Sequence, residues 1–213
     1  MKFKHIIWDW NGTLWDDTQL CAEINNHMLE RRNLPLIDVG VYRDELVFPV
    51  DQYYCKLGFD YAKDPYHKLA EEFIAEYTAR RFECPLHTGA RELIATFQSL
   101  EISQAVLSAY QHDTLLEALG HFQLLEFFDD VIGLNDIYAA GKVENGKQYI
   151  RRLETDPVDV LFIGDTLHDF EVAEAMGVNC LLLACGHNSR PRLETAGVPV
   201  FDDLAGIRNY VLG

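Results

Sequence analysis

The chain has 213 residues, of which 48% are hydrophobic and 24% are charged, a composition typical of a folded globular protein rather than a disordered one. Its 34 acidic and 18 basic side chains give a formal net charge of -16. Such a surface repels phosphate backbones and anionic lipids, which disfavours binding to nucleic acids or membranes. A small anionic substrate remains compatible, because a metal ion or a local cation can reverse the sign inside one pocket.

Targeting and redox signals are weak in this sequence. No apolar run of signal-peptide length precedes Asp9, and no later segment approaches the length of a membrane span. The cysteines are scattered, odd in number and without a C-x-x-C pair, so they indicate neither a disulfide framework nor a zinc site. They are Cys21, Cys55, Cys84, Cys180 and Cys185. We therefore expect a cytoplasmic protein.

The first predicted element is a strand over residues 4–8, which ends at Asp9. Helical periodicity then dominates up to about residue 84, with one apolar stripe in a predicted helix over 18–32 and another over 67–82. Proline and glycine divide this segment into three or four helices. The first 15 residues and residues 85–213 are expected to form the core, and residues 16–84 an inserted α-helical cap domain.

From residue 85 onwards, short apolar runs alternate with helical patterns. The predicted strands cover residues 104–107, 130–132, 158–163, 179–184 and 198–201. The predicted helices cover residues 90–100, 114–119, 144–153, 169–176 and 202–211. Runs with little polar alternation are typical of strands buried on both faces of a parallel sheet. The pattern predicts an α/β fold, a Rossmann-like three-layer core with a parallel sheet.

Polar residues follow four of the predicted strands. Asp9 follows the first, Ser108 the second, Lys142 the third after an intervening loop, and Asp165 and Asp169 the fourth. Ligands of open parallel sheets collect outside the carboxyl ends of the strands. We therefore expect these five side chains to converge on one edge of the sheet.

The expected cluster has a clear chemistry. Three neighbouring carboxylates repel each other unless a cation binds, and carboxylate oxygens suit Mg²⁺. With Mg²⁺ bound, a phosphate could enter, and an ionised aspartate could attack phosphorus to form an aspartyl-phosphate. Hydroxyl, ammonium and backbone amide groups near it would bind the phosphate. The candidates for substrate or phosphate binding are Gly12, Thr13, Ser108, Ala109, Lys142 and Arg43.

Over essentially its whole length the chain resembles the haloacid dehalogenase-like hydrolases, in the branch with a helical cap after the first strand, similar to phosphoglycolate phosphatases. Asp9–Thr13 matches the first motif of that family, Asp-x-Asp-Gly-Thr, at all but one position. Ser108, Lys142 and the Gly-Asp-x-x-x-Asp segment ending at Asp169 match the other three motifs.

The resemblance implies a magnesium-dependent phosphatase acting on a small phosphorylated metabolite. Asp9 would be the nucleophile, and Ser108 and Lys142 would bind phosphate. The metal would be held by Asp9, Asp165, Asp169 and the main-chain carbonyl of Asn11. We expect Asp9, Asn11 and Lys142 at the catalytic positions, no nucleic-acid or membrane partner, and a monomer or homodimer.

Asn11 is the departure from the family motif, because family phosphatases carry a second aspartate there as general acid and base. An amide cannot donate or accept the proton, which costs on the order of 10²–10⁴ in rate for poor leaving groups. Aryl and acyl phosphates need no proton and should suffer far less. His112 or His168 could stand in for the missing carboxylate.

Two other functions stay open at this point. One is a catalytically weak phosphate-binding or regulatory protein. The other is a phosphonate hydrolase, which would need a cap lysine for a Schiff base, with Lys56, Lys63 and Lys68 as candidates. A dehalogenase is disfavoured by the retained metal-binding aspartates, and a phosphomutase by the missing acid.

Substrate recognition is expected from the cap. Arg43 could bind an anion, although a solvated helix face explains it as well. The tyrosines Tyr42, Tyr53 and Tyr54 are also candidates, or else pack the core of the cap. Asp17 is expected to cap the first cap helix, and the loop 186–189 lies on the same edge of the predicted sheet.

Overall fold

A computed structural model of the protein describes residues 2–135 and 141–213. The strands are β1 His5–Trp8, β2 Ser103–Gln111, β3 Asp130–Leu134, β4 Val160–Gly164, β5 Asn179–Leu183 and β6 Val200–Phe201. The α-helices are α1 Thr18–Glu30, α2 Val39–Glu45, α3 Val50–Lys56, α4 Tyr66–Arg80, α5 Ala90–Ser99, α6 His112–His121, α7 Lys142–Arg152, α8 Leu167–Met176, α9 Arg190–Leu193 and α10 Leu204–Leu212.

The six strands form one parallel sheet in the order β3-β2-β1-β4-β5-β6. The central strand β1 pairs with β2 on one side and β4 on the other, and Trp8 lies opposite both Val106 and Ile163. This register brings the carboxyl ends of β1 and β4 level. The predicted α/β fold with a parallel sheet is confirmed, and all six predicted strands are present.

Helices cover both faces of the sheet, because alternate side chains of each strand point to opposite faces. Ile6 and Trp8 of β1 belong to one buried cluster, which includes side chains of α5, α6 and α10. Ile7 belongs to the other, which includes side chains of α7, α8 and α9. Every residue of β1 and β4 is buried, which explains the lack of polar alternation in both strands.

Four helices, α1–α4, lie between β1 and α5 in the chain, and we call them the helical insertion. The predicted helices 18–32 and 67–82 are α1 and α4, each with its end displaced by about two residues. The apolar stripe of α1 is buried, as predicted. The stripe of α4 is buried at Leu69 and Tyr77 and only partly buried at Phe73 and Ile74, because these two side chains line a cavity.

Within the described residues, none of the helices combines the length and the apolar character needed to cross a membrane.

The largest departures from the predicted elements are local. Strand β2 continues to Gln111 instead of ending at Leu107, and the short helix α9 was not predicted.

A pair of leucines tests how strongly packing holds the helical insertion. Leu29 is fully buried, whereas Leu36 is 60% exposed. Leu29→Ala should lower the free energy of unfolding by about 2–5 kcal/mol, because it removes buried apolar area and leaves a cavity. Leu36→Ala is the matched control and should change it by less than about 0.5 kcal/mol. Urea denaturation measures both, and equal losses would contradict the packing described here.

Candidate active site

Three carboxylates meet at the carboxyl end of the sheet. Asp9 directly follows β1, Asp165 directly follows β4, and Asp169 lies in the first turn of α8. One carboxylate oxygen from each lies within 4.8 Å of the others, and all three side chains are buried. The strand register predicts this meeting, because adjacent parallel strands deliver their next residues to the same edge.

The start of α8 orients Asp169. Its Oδ2 accepts hydrogen bonds from the backbone N–H of Asp165 (3.1 Å) and of Thr166 (2.9 Å), and from the Thr166 hydroxyl (2.7 Å). The Thr166 hydroxyl accepts in turn from the backbone N–H of Asp169, which makes a capping box. This local helix start leaves Oδ1 of Asp169 to face the cluster.

Asp165 is held by groups from two other loops. Its Oδ1 accepts from the Thr13 hydroxyl (2.6 Å) and its Oδ2 from the backbone N–H of His187 (2.6 Å). Gly12 and Gly186 flank the carboxylate so closely that a Cβ at either position would overlap it. Gly12 also has φ +75°, a conformation that favours glycine.

Lys142, the first residue of α7, supplies the positive charge of the cluster. Its Nζ donates to Asp9 Oδ1 and to Asp169 Oδ1, each at 2.5 Å. Burial opposes the charge on Lys142, but Asp169 and Asp9 outweigh it and raise the pKa of the lysine. Burial also opposes the charge on Asp169, where Lys142 prevails and lowers the pKa of the carboxyl.

One lysine does not neutralise three carboxylates. Burial raises the pKa of Asp9 to about 8 against the attraction of Lys142, and Asp169 and Asp165 add to the increase. The pKa of Asp165 is likewise raised by burial, and Asp169 adds to this. Crowded, buried, oxygen-only ligands of this kind fit a small hard divalent cation, which would relieve the repulsion.

A second polar network surrounds Asn11. Its Nδ2 donates to Asp17 Oδ2 (2.7 Å) and to the Tyr77 hydroxyl (2.8 Å), and the Tyr77 hydroxyl donates to the same Asp17 oxygen (2.6 Å). The other oxygen of Asp17 accepts from the backbone N–H of Gly12 (2.9 Å). Asp17 stands at the N-cap position of α1, as predicted, but no backbone N–H of that helix donates to its side chain, which accepts only the Cys21 thiol from α1 (3.9 Å). The predicted capping role of its side chain is therefore wrong.

His187 completes this network. Its Nε2 lies 3.2 Å from Asp17 Oδ1, and its Nδ1 lies 3.0 Å from the Tyr42 hydroxyl. Burial opposes the charge on both partners. Even so, His187 lowers the pKa of Asp17, and Asp17 with the nearby Asp165 and Asp9 raises the pKa of His187 to about 9. Asp17 and His187 thus form a buried ion pair at neutral pH.

A cavity of about 220 Å³ opens between this cluster and the helical insertion. Of the predicted site residues, those that line it are Asp9, Asn11, Ser108, Ala109, Lys142 and Asp169. Asp165 lies behind this wall. The predicted phosphate ligands Gly12 and Thr13 do not line the cavity, because the Gly12 N–H and the Thr13 hydroxyl bind the two aspartates Asp17 and Asp165.

Arg43 lies elsewhere than predicted. Its guanidinium donates to the backbone carbonyls of Gly186 (2.7 Å) and Cys185, and it is not part of the cavity wall. Its place corrects the expectation of a side chain that binds the substrate. Arg43 instead ties α2 to the loop that carries His187.

The candidate replacements for the missing acid are placed differently. His168 lines the cavity, stacks on Phe48 and bonds Glu171 Oε2 at 3.0 Å, whereas His112 is not among the described residues that line it. The candidate Schiff-base lysines, Lys56, Lys63 and Lys68, are exposed on the insertion and pair with the acidic residues Glu45, Asp60 and Glu71. None of these three lysines is part of the cavity wall.

Comparison with known proteins assigns a family. A family model described as "Haloacid dehalogenase-like hydrolase" matches residues 6–183. A phosphoglycolate phosphatase of Pseudomonas savastanoi is 26% identical over 64% of this chain and 53% of its own length. The chain thus matches about half of that relative, and 50% of a second one from Pseudomonas syringae.

Other relatives match nearly the whole chain. A phosphoglycolate phosphatase of Rhodospirillum rubrum is 24% identical over 98% of this chain and 90% of its own length. The tyrosine-protein kinase PtkA of Mycobacterium tuberculosis is 23% identical over 95% of this chain and 69% of its own.

Solved structures share the fold. A predicted phosphatase from Clostridium acetobutylicum superposes with a TM-score of 0.83 at 17% identity, covering 100% of this chain and 99% of the other. A haloacid dehalogenase-like hydrolase from Streptococcus pneumoniae also superposes with a TM-score of 0.83, at 18% identity over 99% of both chains.

The Asp17–His187 pair predicts a pH dependence of stability. His187 keeps its proton to about pH 9 in the folded protein, but only to about 6.5 in the unfolded chain. Below pH 6.5 the ion pair therefore stabilises the folded protein fully, and this stabilisation is lost as the pH rises to 9. Over that range the free energy of unfolding falls by up to about 1.4 kcal/mol per pH unit. We expect His187→Gln to remove this part of the slope in urea denaturation with a chelator present.

His67→Gln is the matched control, since His67 is an exposed histidine of α4. This variant should keep the slope of the wild type. Parallel pH profiles of the wild type and His187→Gln between pH 6.5 and 9 would contradict the buried ion pair.

Proposed function

The chain belongs to the haloacid dehalogenase-like hydrolase family, and we propose that it is a magnesium-dependent phosphatase that hydrolyses a small phosphate monoester through an aspartyl-phosphate on Asp9. One observation carries the proposal. Asp9, Asp165, Asp169 and Lys142 meet at the edge of a cavity large enough for a small substrate. The names of the phosphoglycolate phosphatase relatives support the same class of reaction.

Asp9, Asp165 and Asp169, with the main-chain carbonyl of Asn11, would hold Mg²⁺. The ion would supply positive charge that keeps Asp9 ionised and admits a phosphate dianion. Lys142 adds a second cation beside Asp9. The Ser108 hydroxyl and the backbone at Ala109, both on the cavity wall, would hydrogen-bond the phosphoryl oxygens.

In the proposed first step, a carboxylate oxygen of Asp9 attacks phosphorus, and the bond from phosphorus to the ester oxygen breaks. The leaving group departs with that electron pair, and the phosphoryl group stays on Asp9. In the second step, water attacks the same phosphorus and transfers a proton to solvent or phosphate. The acyl phosphate bond breaks, which releases inorganic phosphate and restores the Asp9 carboxylate.

The helical insertion would act as the cap, with residues 16–84 as the unit that covers the site. Tyr42, Tyr53 and Tyr77 line the cavity from α2, α3 and α4. A cap in this position excludes water from the aspartyl-phosphate and selects the leaving group by shape and polarity.

Asn11 fits its surroundings as an amide. Its Nδ2 faces an ionised, buried Asp17 oxygen at 2.7 Å. An aspartate at position 11 would place two carboxylates against each other there. The proposed enzyme therefore lacks the usual general acid because the local network requires a hydrogen-bond donor at this position.

Asn11 also favours one alternative, a protein that binds phosphate with little turnover, because general acid catalysis is missing. The phosphonate hydrolase reading has no such support. Its cap lysine would have to reach the cavity, and the three candidate lysines are exposed and paired with acidic side chains.

The proposal predicts that Asp9→Asn abolishes activity. With Mg²⁺, the wild type should release p-nitrophenol from p-nitrophenyl phosphate, and chelation should stop the reaction. Asp9→Asn should lower kcat by at least about 10³-fold, since its amide is a poor nucleophile. The matched control is Asp16→Asn, whose parent side chain is 48% exposed, and it should stay within about threefold of the wild type.

Mass spectrometry after rapid acid quench should find the phosphoryl group on the peptide that contains Asp9. Equal rates for the wild type and Asp9→Asn would overturn the phosphatase proposal and favour phosphate binding without turnover.

A charge exchange tests the role of Asn11. Asn11→Asp should lower the free energy of unfolding by about 1–3 kcal/mol, because it replaces a buried hydrogen bond by repulsion between carboxylates. The double variant Asn11→Asp with Asp17→Asn again places one amide donor opposite one carboxylate acceptor. Its destabilisation should be smaller than the sum of the two single variants by at least about 1 kcal/mol. Additive losses in urea denaturation would show that the two side chains do not interact.

A further inference from the structure

The cavity wall on the side of the helical insertion is mainly aromatic and apolar. Its rings and aliphatic side chains come from α2, α3 and α4, from the segment between α2 and α3, and from β2. They are Tyr42, Leu46, Phe48, Val50, Tyr53, Tyr54, Tyr66, Ala70, Phe73, Ile74, Tyr77 and Tyr110. Aromatic walls of this kind bind planar rings through stacked and edge-on contacts. A cavity on the order of 150 Å³ holds a benzene ring, so about 220 Å³ is sufficient for an aryl group.

The charges of the site balance without a spare cation. With one Mg²⁺ bound, Asp9, Asp165, Asp169 and Lys142 sum to zero charge. The two histidines of the wall already have acidic partners, since His187 is paired with Asp17 and His168 with Glu171. No further lysine or arginine of the described residues lines the cavity. Residues 136–140, which lie outside them, contain no basic residue.

A second anionic group on the substrate, in addition to its phosphate, would therefore have no cationic partner. Burying an unpaired carboxylate against apolar side chains is strongly unfavourable. Asn25 strengthens this argument, because its Oδ1, a hydrogen-bond acceptor, is buried without a partner among the described residues and the residue lines the cavity. An acceptor repels an anion, whereas a neutral ligand can donate a hydrogen bond to it.

Asn11 restricts the leaving group independently of the cavity. Without the aspartate that serves the family as general acid, the ester oxygen departs most readily as an anion of low basicity. A phenolate is the conjugate base of a group with pKa about 10. An alkoxide is about as basic as hydroxide, whose parent, water, has pKa about 15.7. The chemistry therefore favours an aryl ester over an alkyl ester.

We propose that the substrate of this site is the phosphate monoester of a small phenol that carries no charge other than its phosphate. This inference rests on the proposed phosphatase function and narrows it. The ring would lie among the tyrosines and phenylalanines of the helical insertion, and the phosphate beside Asp9 and Lys142. The size of the cavity favours a free small molecule over an aryl phosphate on a protein surface.

Four phosphorylated compounds, three esters and one acyl phosphate, separate the two requirements, the ring and the leaving group. Phenyl phosphate meets both. Benzyl phosphate has the ring but an alkoxide leaving group, acetyl phosphate has a weakly basic leaving group but no ring, and 2-phosphoglycolate has neither and adds a carboxylate. We expect kcat/KM for phenyl phosphate to exceed that for benzyl phosphate by at least about 10²-fold. It should exceed that for acetyl phosphate at least tenfold, and 2-phosphoglycolate should be the slowest.

Equal or faster turnover of benzyl phosphate, acetyl phosphate or 2-phosphoglycolate would overturn the inference and leave the phosphatase proposal intact. Failure to hydrolyse any ester would overturn the phosphatase proposal itself. A phosphotyrosine peptide turned over more slowly than phenyl phosphate would support a free small molecule as the source of the aryl ester. Faster turnover of the peptide would overturn the inference that the aryl ester is a free small molecule.

Binding gives a readout that does not depend on turnover. Benzylphosphonate imitates phenyl phosphate, and 3-phosphonopropionate imitates 2-phosphoglycolate, but neither is hydrolysed. Calorimetry with the Mg²⁺-loaded wild type should show that benzylphosphonate binds at least tenfold more tightly. Equal affinities would overturn the inference even if the protein has no phosphatase activity.

A cation introduced into the wall should reverse this preference. Ile74 of α4 is a partly buried wall residue outside the catalytic cluster. Ile74→Arg should shift the affinity ratio towards 3-phosphonopropionate by at least tenfold, while Ile74→Gln, an uncharged control, should not. If Ile74→Arg does not fold, Thr78→Arg serves instead, since Thr78 lines the cavity from an exposed position. An unchanged ratio in a folded arginine variant would overturn the charge argument.

Discussion

Mutual repulsion among three buried carboxylates is the constraint on which the rest of this site depends. Asp9, Asp165 and Asp169 are brought together by features that also build the fold, namely two adjacent strand ends and a helix start. The surroundings then hold them in place with hydrogen bonds to Asp165 and Asp169 and with the ammonium of Lys142. In the proposed enzyme a bound cation would relieve the repulsion that Lys142 leaves, which would couple the affinity for the metal to the rigidity of the sheet edge.

The Asp17–His187 pair is a second group of buried charges, and it lies at the boundary with the helical insertion. Asp17 precedes α1, while His187 follows β5, so the pair joins the insertion to the core. Removing one partner of such a buried pair leaves an uncompensated charge. Asn11 belongs to the same network. The helical insertion therefore partly determines which residue suits position 11.

The sequence was sufficient to predict the sheet and the residues at its strand ends, because both follow from local apolar patterns and from the geometry of parallel strands. Asp9, Ser108, Lys142 and Asp169 were found in this way, and all four line the cavity. Tyr77 and His187 were not predicted as partners of Asp17, since their positions depend on how α4 and a distant loop pack. Arg43 illustrates the same limit, because its helix was expected but the backbone carbonyls that it binds could not be read from the chain.

The loop after β5 bonds both to the helical insertion and to the carboxylate cluster. Arg43 grips its carbonyls from α2, and one residue further along, the amide of His187 holds Asp165. A movement of α2 away from the sheet would have to break the contacts of Arg43 and Tyr42 with this loop, or displace the loop together with its hydrogen bond to Asp165. In the proposed enzyme, metal binding and substrate binding would then be thermodynamically linked through this peptide segment, and a substrate that draws α2 towards the sheet would also strengthen the binding of the metal.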